Sequence, residues 1–194
     1  MIVMSEKAKM IHGEPYNPID PMLVLERDHA SRICARYNRK TYHEYIMRNR
    51  LMRKLINTNG NFWVKPPFHC DYGDNITLGQ DVMINYGCVF LDVCPIVIKD
   101  KTLIGPNVQI YTACHATDPK QRLAGVEFGK SVTIGSNVWI GGGSVICPGV
   151  EIGDNTVIGA GSVVVKSIPA NVMACGNPCV VKKSLSNDDC KLLR

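Results

Sequence analysis

The chain has 194 residues, 45% of them hydrophobic and 20% charged, with 22 Lys and Arg against 17 Asp and Glu. That length suits one globular domain with room for a small second unit, and the balance excludes a disordered, collagenous or simple coiled-coil protein. No run of 18 apolar residues is present to cross a membrane, and MIVMSEKAKM lacks the apolar core and cleavage site of a secretion signal. Nine cysteines, odd in number and without a Cys-x-x-Cys pair, read as reduced thiols of a cytoplasmic protein.

Residues 1–60 hold 11 Lys and Arg and 6 Asp and Glu, whereas residues 61–194 hold 11 of each, so all the net charge of +5 lies in the first third. No nucleic-acid motif accompanies this excess, which reads as the solvated face of helices. Asp20-Pro21 is a start signal, with Asp as cap and Pro in the first turn. Leu23, Ala30, Ile33, Cys34 and Tyr37 follow near helical spacing. Thr41-Tyr42-His43-Glu44 fits a capping box and precedes an apolar stripe of Tyr45, Leu51, Met52, Leu55 and Ile56. Two helices cannot bury a core alone. They are expected to pack on the rest of the chain or on a neighbouring copy. Gly60 and Pro66-Pro67 bracket the end of this helical unit, residues 1–60.

From residue 78 an aliphatic or Phe lead recurs every six residues. The leads are Leu78, Ile84 and Phe90, then, after a two-residue slip, Ile98, Ile104 and Ile110. After an excursion over 116–133 they resume as Ile134, Ile140, Ile146, Ile152, Ile158 and Val164. Six of the twelve are followed by Gly, read as backbone freedom for a corner. Val108, Val138, Ser144, Val150, Thr156 and Ser162 stand four residues after their leads. Short strands with one inward side chain per unit, stacked coil on coil, make a parallel β-helix of hexapeptide repeats. Four 18-residue coils are predicted, 78–95, 98–115, 134–151 and 152–169. The β-helical domain spans 61–183, and 184–194 forms a C-terminal tail without recognisable signal.

Finer motifs are Cys70-Asp71-Tyr72-Gly73, Leu91-Asp92-Val93-Cys94-Pro95-Ile96, Ile110-Tyr111-Thr112-Ala113, Thr133 to Gly142, Gly176-Asn177-Pro178, and Gly13-Glu14-Pro15-Tyr16 ahead of the helices. Together they resemble the maltose and galactoside O-acetyltransferases, over about residues 6–183. The resemblance implies a left-handed coil, which the period itself does not show. It also implies transfer of acetyl from acetyl-CoA to a sugar hydroxyl, without a metal, in a homotrimer with sites between neighbouring β-helices. No nucleic-acid or membrane partner is expected. Two other readings remain: an acetyltransferase for a non-sugar acceptor, or a catalytically silent scaffold subunit. A three-histidine metal enzyme on the same fold is excluded because the repeats supply one histidine.

That histidine, His115, closes the second predicted coil, and the long excursion begins after it. It matches the family's catalytic histidine and is expected to take the proton of the attacking hydroxyl. Glu127 is either the carboxylate that orients the ring or a surface residue. Asn85 and Asp92 match acceptor-binding positions. Asn85 replaces the usual Gly, and Val93 stands where galactoside enzymes carry a second acid. Arg27 and Asp20 match the sugar-contacting part of the N-terminal segment, with helix capping the favoured role of Asp20. Trp139, Gly142, Ala160, Gly161, Lys166 and Lys183 match acetyl-CoA positions; core packing for Trp139 and solvation for the lysines are the competing readings. Val165 and Val180 depart from the family's usual Thr and Arg. Cys88, Cys114 and Cys147 read as small packing residues. The excursion is expected to be dispensable for folding and required for activity.

Overall fold

A computed structural model describes residues 4–186 of the chain. From residue 57 the chain winds into a parallel β-solenoid with three faces. Face 1 holds Asn57–Thr58, Ile76–Leu78, Ile96–Ile98, Val132–Ile134 and Glu151–Ile152. Face 2 holds Phe62–Val64, Val82–Ile84, Leu103–Ile104, Trp139–Ile140, Val157–Ile158 and Val172–Cys175, with Val180–Ser184 added antiparallel at the end. Face 3 holds Phe68–Cys70, Cys88–Leu91, Gln109–Tyr111, Val145–Ile146 and Val163–Val164. All twelve leads point inward and are at most 2% exposed. The six residues four positions on are equally buried. The Ser144 hydroxyl there donates to the Gly141 carbonyl at 2.7 Å, so its burial leaves no polar group unpaired.

The solenoid starts one coil earlier than the repeat predicts. Thr58, Val64 and Cys70 stand opposite Leu78, Ile84 and Phe90, and they too are six residues apart. The period is kept there, but Thr and Cys at two of three leads hide it. The helical unit therefore gives way to the solenoid at residue 57. At the other end residues 180–184 are strand, and the rest of the predicted tail beyond 186 lies outside the described residues.

The glycine after each lead works differently from the expectation. Left-handed backbone between faces 1 and 2 is taken by Asp81, Lys101, Asn137, Asn155 and Asn171. Asn tolerates this region, and the side chains of Asn137, Asn155 and Asn171 bond one to the next at 2.9 Å. The lead-following glycines have no positive φ; a Cβ at Gly141 would run into the backbone of Ala160 one coil up. Close stacking of coils, not corner conformation, selects Gly there.

Helix α1, Glu6–Ile11, was not anticipated; α2 is Pro21–Asn38, and α3 is Tyr45–Met52 after a 3₁₀ turn at Tyr42–Glu44. Glu44 accepts from the Thr41 backbone N–H at 2.9 Å, as the capping box requires. Leu23, Ala30, Ile33, Cys34 and Tyr37 are buried, as are Leu51, Met52, Leu55 and Ile56. Tyr45, expected in that stripe, is 48% exposed. The helices thus bury their apolar side largely within their own chain: Tyr37, Met52 and Leu55 share one core with Phe62, Phe68 and Ile76.

The excursion is a hairpin. Ala113–His115 pairs antiparallel with Glu127–Gly129, and its tip carries α4, Pro119–Leu123, none of it buried. Val132 and Thr133 already belong to face 1, opposite Ile96 and Val97, so they are not part of the loop. The second hairpin strand also pairs with the N-terminal segment at Tyr16. The dispensable part is therefore narrower than 116–133. Replacing 117–126 by a short Gly-Ser linker is expected to leave cooperative thermal unfolding within about 5 °C of the parent. Loss of folding in that variant would make the tip structural.

Candidate active site

Two groups of expected site residues form, on opposite edges of face 3. The first lies where face 3 turns into face 1. His115 stands directly opposite Glu127 in the hairpin, and its Nε2 is 3.6 Å from Glu127 Oε1. The histidine side chain is 59% exposed and the glutamate 24%. The pair is thus open to a ligand, with the carboxylate more enclosed than the ring. Glu127 is held from behind: its Oε2 accepts from the Tyr16 hydroxyl at 2.7 Å and its carbonyl from the Tyr16 N–H at 3.0 Å. Glu127 is thus a half-buried, anchored side chain.

Arg27 reaches the same corner from α2. Its guanidinium donates to the Tyr72 hydroxyl and to the Pro18 carbonyl, both at 2.6 Å. Asp71, which sequence reasoning quoted in a motif but gave no role, lies within the influence of both charges. Burial raises its carboxyl above the usual range, Arg27 draws it back and Glu127 raises it further. The signal that could have found it was position: Cys70 occupies a lead, and Asp71 follows it into the corner. His115, Glu127, Arg27 and Asp71 thus form a polar wall of imidazole, carboxyls and guanidinium, suited to a ligand rich in hydroxyls.

One expected acceptor ligand is corrected, and a second takes the capping role favoured for it. Asp92 is 0% exposed. Its Oδ1 accepts from the N–H groups of Asp71 at 3.0 Å and Tyr72 at 2.9 Å, and its Oδ2 from Gly73 at 2.7 Å. It faces inward and organises the turn that carries Asp71; a ligand cannot reach it. Asp20 Oδ1 accepts from the N–H groups of Met22 at 3.0 Å and Leu23 at 3.3 Å, so it caps α2.

The second group lies where face 2 turns into face 3. Asn85 is half-buried there without left-handed backbone, so a strained corner does not explain it. Its Oδ1 accepts from Tyr86 N–H at 2.9 Å. Gly142 and Gly161 stack in successive coils, the Gly161 N–H donating to the Gly142 carbonyl at 2.9 Å, and Ala160 and Gly161 are exposed. Trp139 is 55% exposed on face 2, which removes the core-packing reading. Across that face Trp139 pairs with Val157, Val157 with Met173, and Met173 with exposed Lys183. Lys166 lies apart from this group, past the end of face 3, and is exposed. The exposed ring, small residues and bare backbone make a shelf for a long, thin ligand with an anionic end.

The thiols stay outside this chemistry. Cys88 is buried and its thiol is pushed up to about 11; burial likewise raises those of Cys114 and Cys147. The eight described cysteines are free.

Parallel coils of six-residue units, a histidine–carboxylate pair at one corner and a tryptophan–glycine shelf at the other define a hexapeptide-repeat acyltransferase. Residues 9–60 match the family described as maltose acetyltransferase hexapeptide capping motif, and residues 131–166 match the bacterial transferase hexapeptide family. The chain is 36% identical to a galactoside O-acetyltransferase of Lactococcus lactis over 96% of this chain and 91% of that one. It is similar to the crystal structure of a maltose O-acetyltransferase from Clostridium difficile 630, with 48% identity, a TM-score of 0.93, and 95% and 99% of the two chains covered. It is also similar to a hexapeptide-repeat acetyltransferase from Vibrio cholerae complexed with acetyl-CoA, with 37% identity, a TM-score of 0.89, and 95% and 100% covered. The chain belongs to the maltose and galactoside O-acetyltransferase family, and its solenoid is that family's left-handed parallel β-helix. No helix among the described residues is long and apolar enough to cross a membrane.

Proposed function

We propose that this protein transfers the acetyl group of acetyl-CoA to a hydroxyl of a sugar, in the cytoplasm, as a homotrimer with each site between two chains. One observation carries this reading. A single chain holds the histidine–carboxylate corner and the tryptophan–glycine shelf on opposite edges of face 3, so one corner of a chain needs the other corner of a neighbour. Face 2 supplies a reason for chains to associate. Trp63, Met83, Leu103, Trp139, Val157 and Met173 pair in register along its outer side. Trp63 and Leu103 remain 46% and 43% exposed, an apolar ladder too long for an isolated surface.

In the reaction the acceptor hydroxyl lies against Arg27 and Asp71, with Asn85 contributed from the other side of the cleft. Glu127 holds one ring nitrogen of His115, and the other takes the hydroxyl proton as oxygen attacks the thioester. The imidazolium then returns the proton to the departing thiol, so the ring ends neutral. Trp139, Gly142, Ala160 and Gly161 line the arm of acetyl-CoA and Lys183 lies toward its phosphates, while Lys166 stands apart from the shelf, past the end of face 3.

Release of free CoA thiol tests the activity, with maltose, glucose and galactosides compared with serine and amino-sugars. Sugar-dependent release at the hydroxyl is expected. Release with amines alone, or with no acceptor in the panel, would overturn the assignment. The shared site has its own test. Inactive His115→Ala chains co-refolded in equal amounts with inactive Trp139→Ala chains are expected to regain about a quarter of parental activity, because each mixed trimer contains one intact pair of corners. No recovery, or a monomer in sedimentation, would place the site within one chain.

A further inference from the structure

We infer that Tyr16 is a positioning residue for the acyl transfer, its hydroxyl fixing the Glu127 carboxylate so that the other carboxylate oxygen faces His115; this rests on the role proposed for Glu127. The geometry divides the carboxylate in two. Oε2 takes the Tyr16 hydroxyl at 2.7 Å, and Oε1 is left toward His115 Nε2. A glutamate on an exposed hairpin has free rotation about its side-chain bonds. An anchor on one oxygen removes that freedom, and a bond on the backbone of the same residue aligns the anchor with it.

The anchor is itself rigid. Tyr16 is 5% exposed and packs with Met10, Leu23, Tyr72 and Val93. The chain reaches it through Gly13, whose φ is +76° and where a Cβ would lie 2.7 Å from the Gly129 carbonyl oxygen. Close docking of this segment on the second hairpin strand therefore requires glycine. The Cys94 thiol donates to the Met10 carbonyl at 3.0 Å and ties the end of α1 to the same corner. Burial and the facing carboxylate both raise the Tyr16 phenol above its ordinary range, so it stays a donor wherever the enzyme works. The Gly13-Glu14-Pro15-Tyr16 motif thus gains a function: the N-terminal segment acts as a brace for the base.

Tyr16→Phe keeps the ring and the backbone bond and removes the anchoring hydroxyl. It is expected to lower kcat roughly 10-fold, with KM for acetyl-CoA unchanged. In a Glu127→Ala background the same change is expected to have no further effect, because the hydroxyl acts through the carboxylate. A tyrosine that only supports the fold would lower kcat equally in both backgrounds and depress Tm, and that result would overturn the inference. So would full activity of Tyr16→Phe beside an impaired Glu127→Ala. Full activity of Glu127→Ala would instead remove the role of Glu127, and with it the inference, while leaving His115 as base untouched.

Discussion

His115→Ala is expected to cut acetyl transfer by roughly 10²–10⁴-fold, the range for a positioned general base. The loss should fall on kcat. The shelf proposed for acetyl-CoA is built from Trp139 to Lys183 and does not include His115, so donor affinity measured by calorimetry should hold. Stability should hold too. The side chain is 59% exposed and lies on a hairpin outside the column of inward leads, so truncation opens no cavity. Most of the activity surviving in the variant would remove the base. Loss of activity together with loss of folding or assembly would give His115 a structural role instead.

The solenoid was legible because its code is one-dimensional. Apart from one two-residue slip, the leads keep a six-residue period, and all twelve are buried where the period puts them. Reading failed where the code is kept by unusual letters, as at Thr58 and Cys70, and where one letter serves two purposes. Glycine after a lead signals either a left-handed corner or close stacking, and the sequence does not say which. The helices were legible from Asp20-Pro21 and the capping box, but α1 is six residues long, too short for a periodic signal. His115 and Glu127 could be paired on sequence because the excursion that holds Glu127 begins directly after His115. Tyr16 and Asp71 could not be placed beside them. Their partners are distant along the chain, Tyr16 meeting Glu127 across 111 residues, and no local pattern records such a contact. Asp92 failed for a related reason: an acid beside a site looks the same in sequence whether its carboxylate points out to a ligand or in to the backbone.

That difference has measurable consequences. With Asp92→Asn, the amide oxygen can still accept from the Asp71 and Tyr72 N–H groups, but the NH₂ meets the Gly73 N–H donor to donor. Stability is expected to fall by about 2 kcal/mol, the usual cost of a buried donor left without an acceptor. Asp92→Ala, which orphans all three, should fall further. The loss should also depend on pH. Burial pushes the Asp92 carboxyl up to about 7, against the pull of the backbone donors. The unfolded value is near 4. Between the two, the folded chain keeps a proton that the unfolded chain releases, so the stabilising effect of protonation is fully present below pH 4 and fades as pH rises through 7. The asparagine does not titrate. The stability gap between parent and Asp92→Asn in urea should therefore narrow from pH 5 to pH 8. A gap that widens would mean that the three N–H bonds outweigh burial and hold the carboxyl low. At a temperature where Asp92→Asn is fully folded, its kcat/KM for the acceptor should stay within about threefold of the parent, because the carboxylate never meets the ligand. A hundredfold rise in acceptor KM with unchanged stability would return Asp92 to the binding surface.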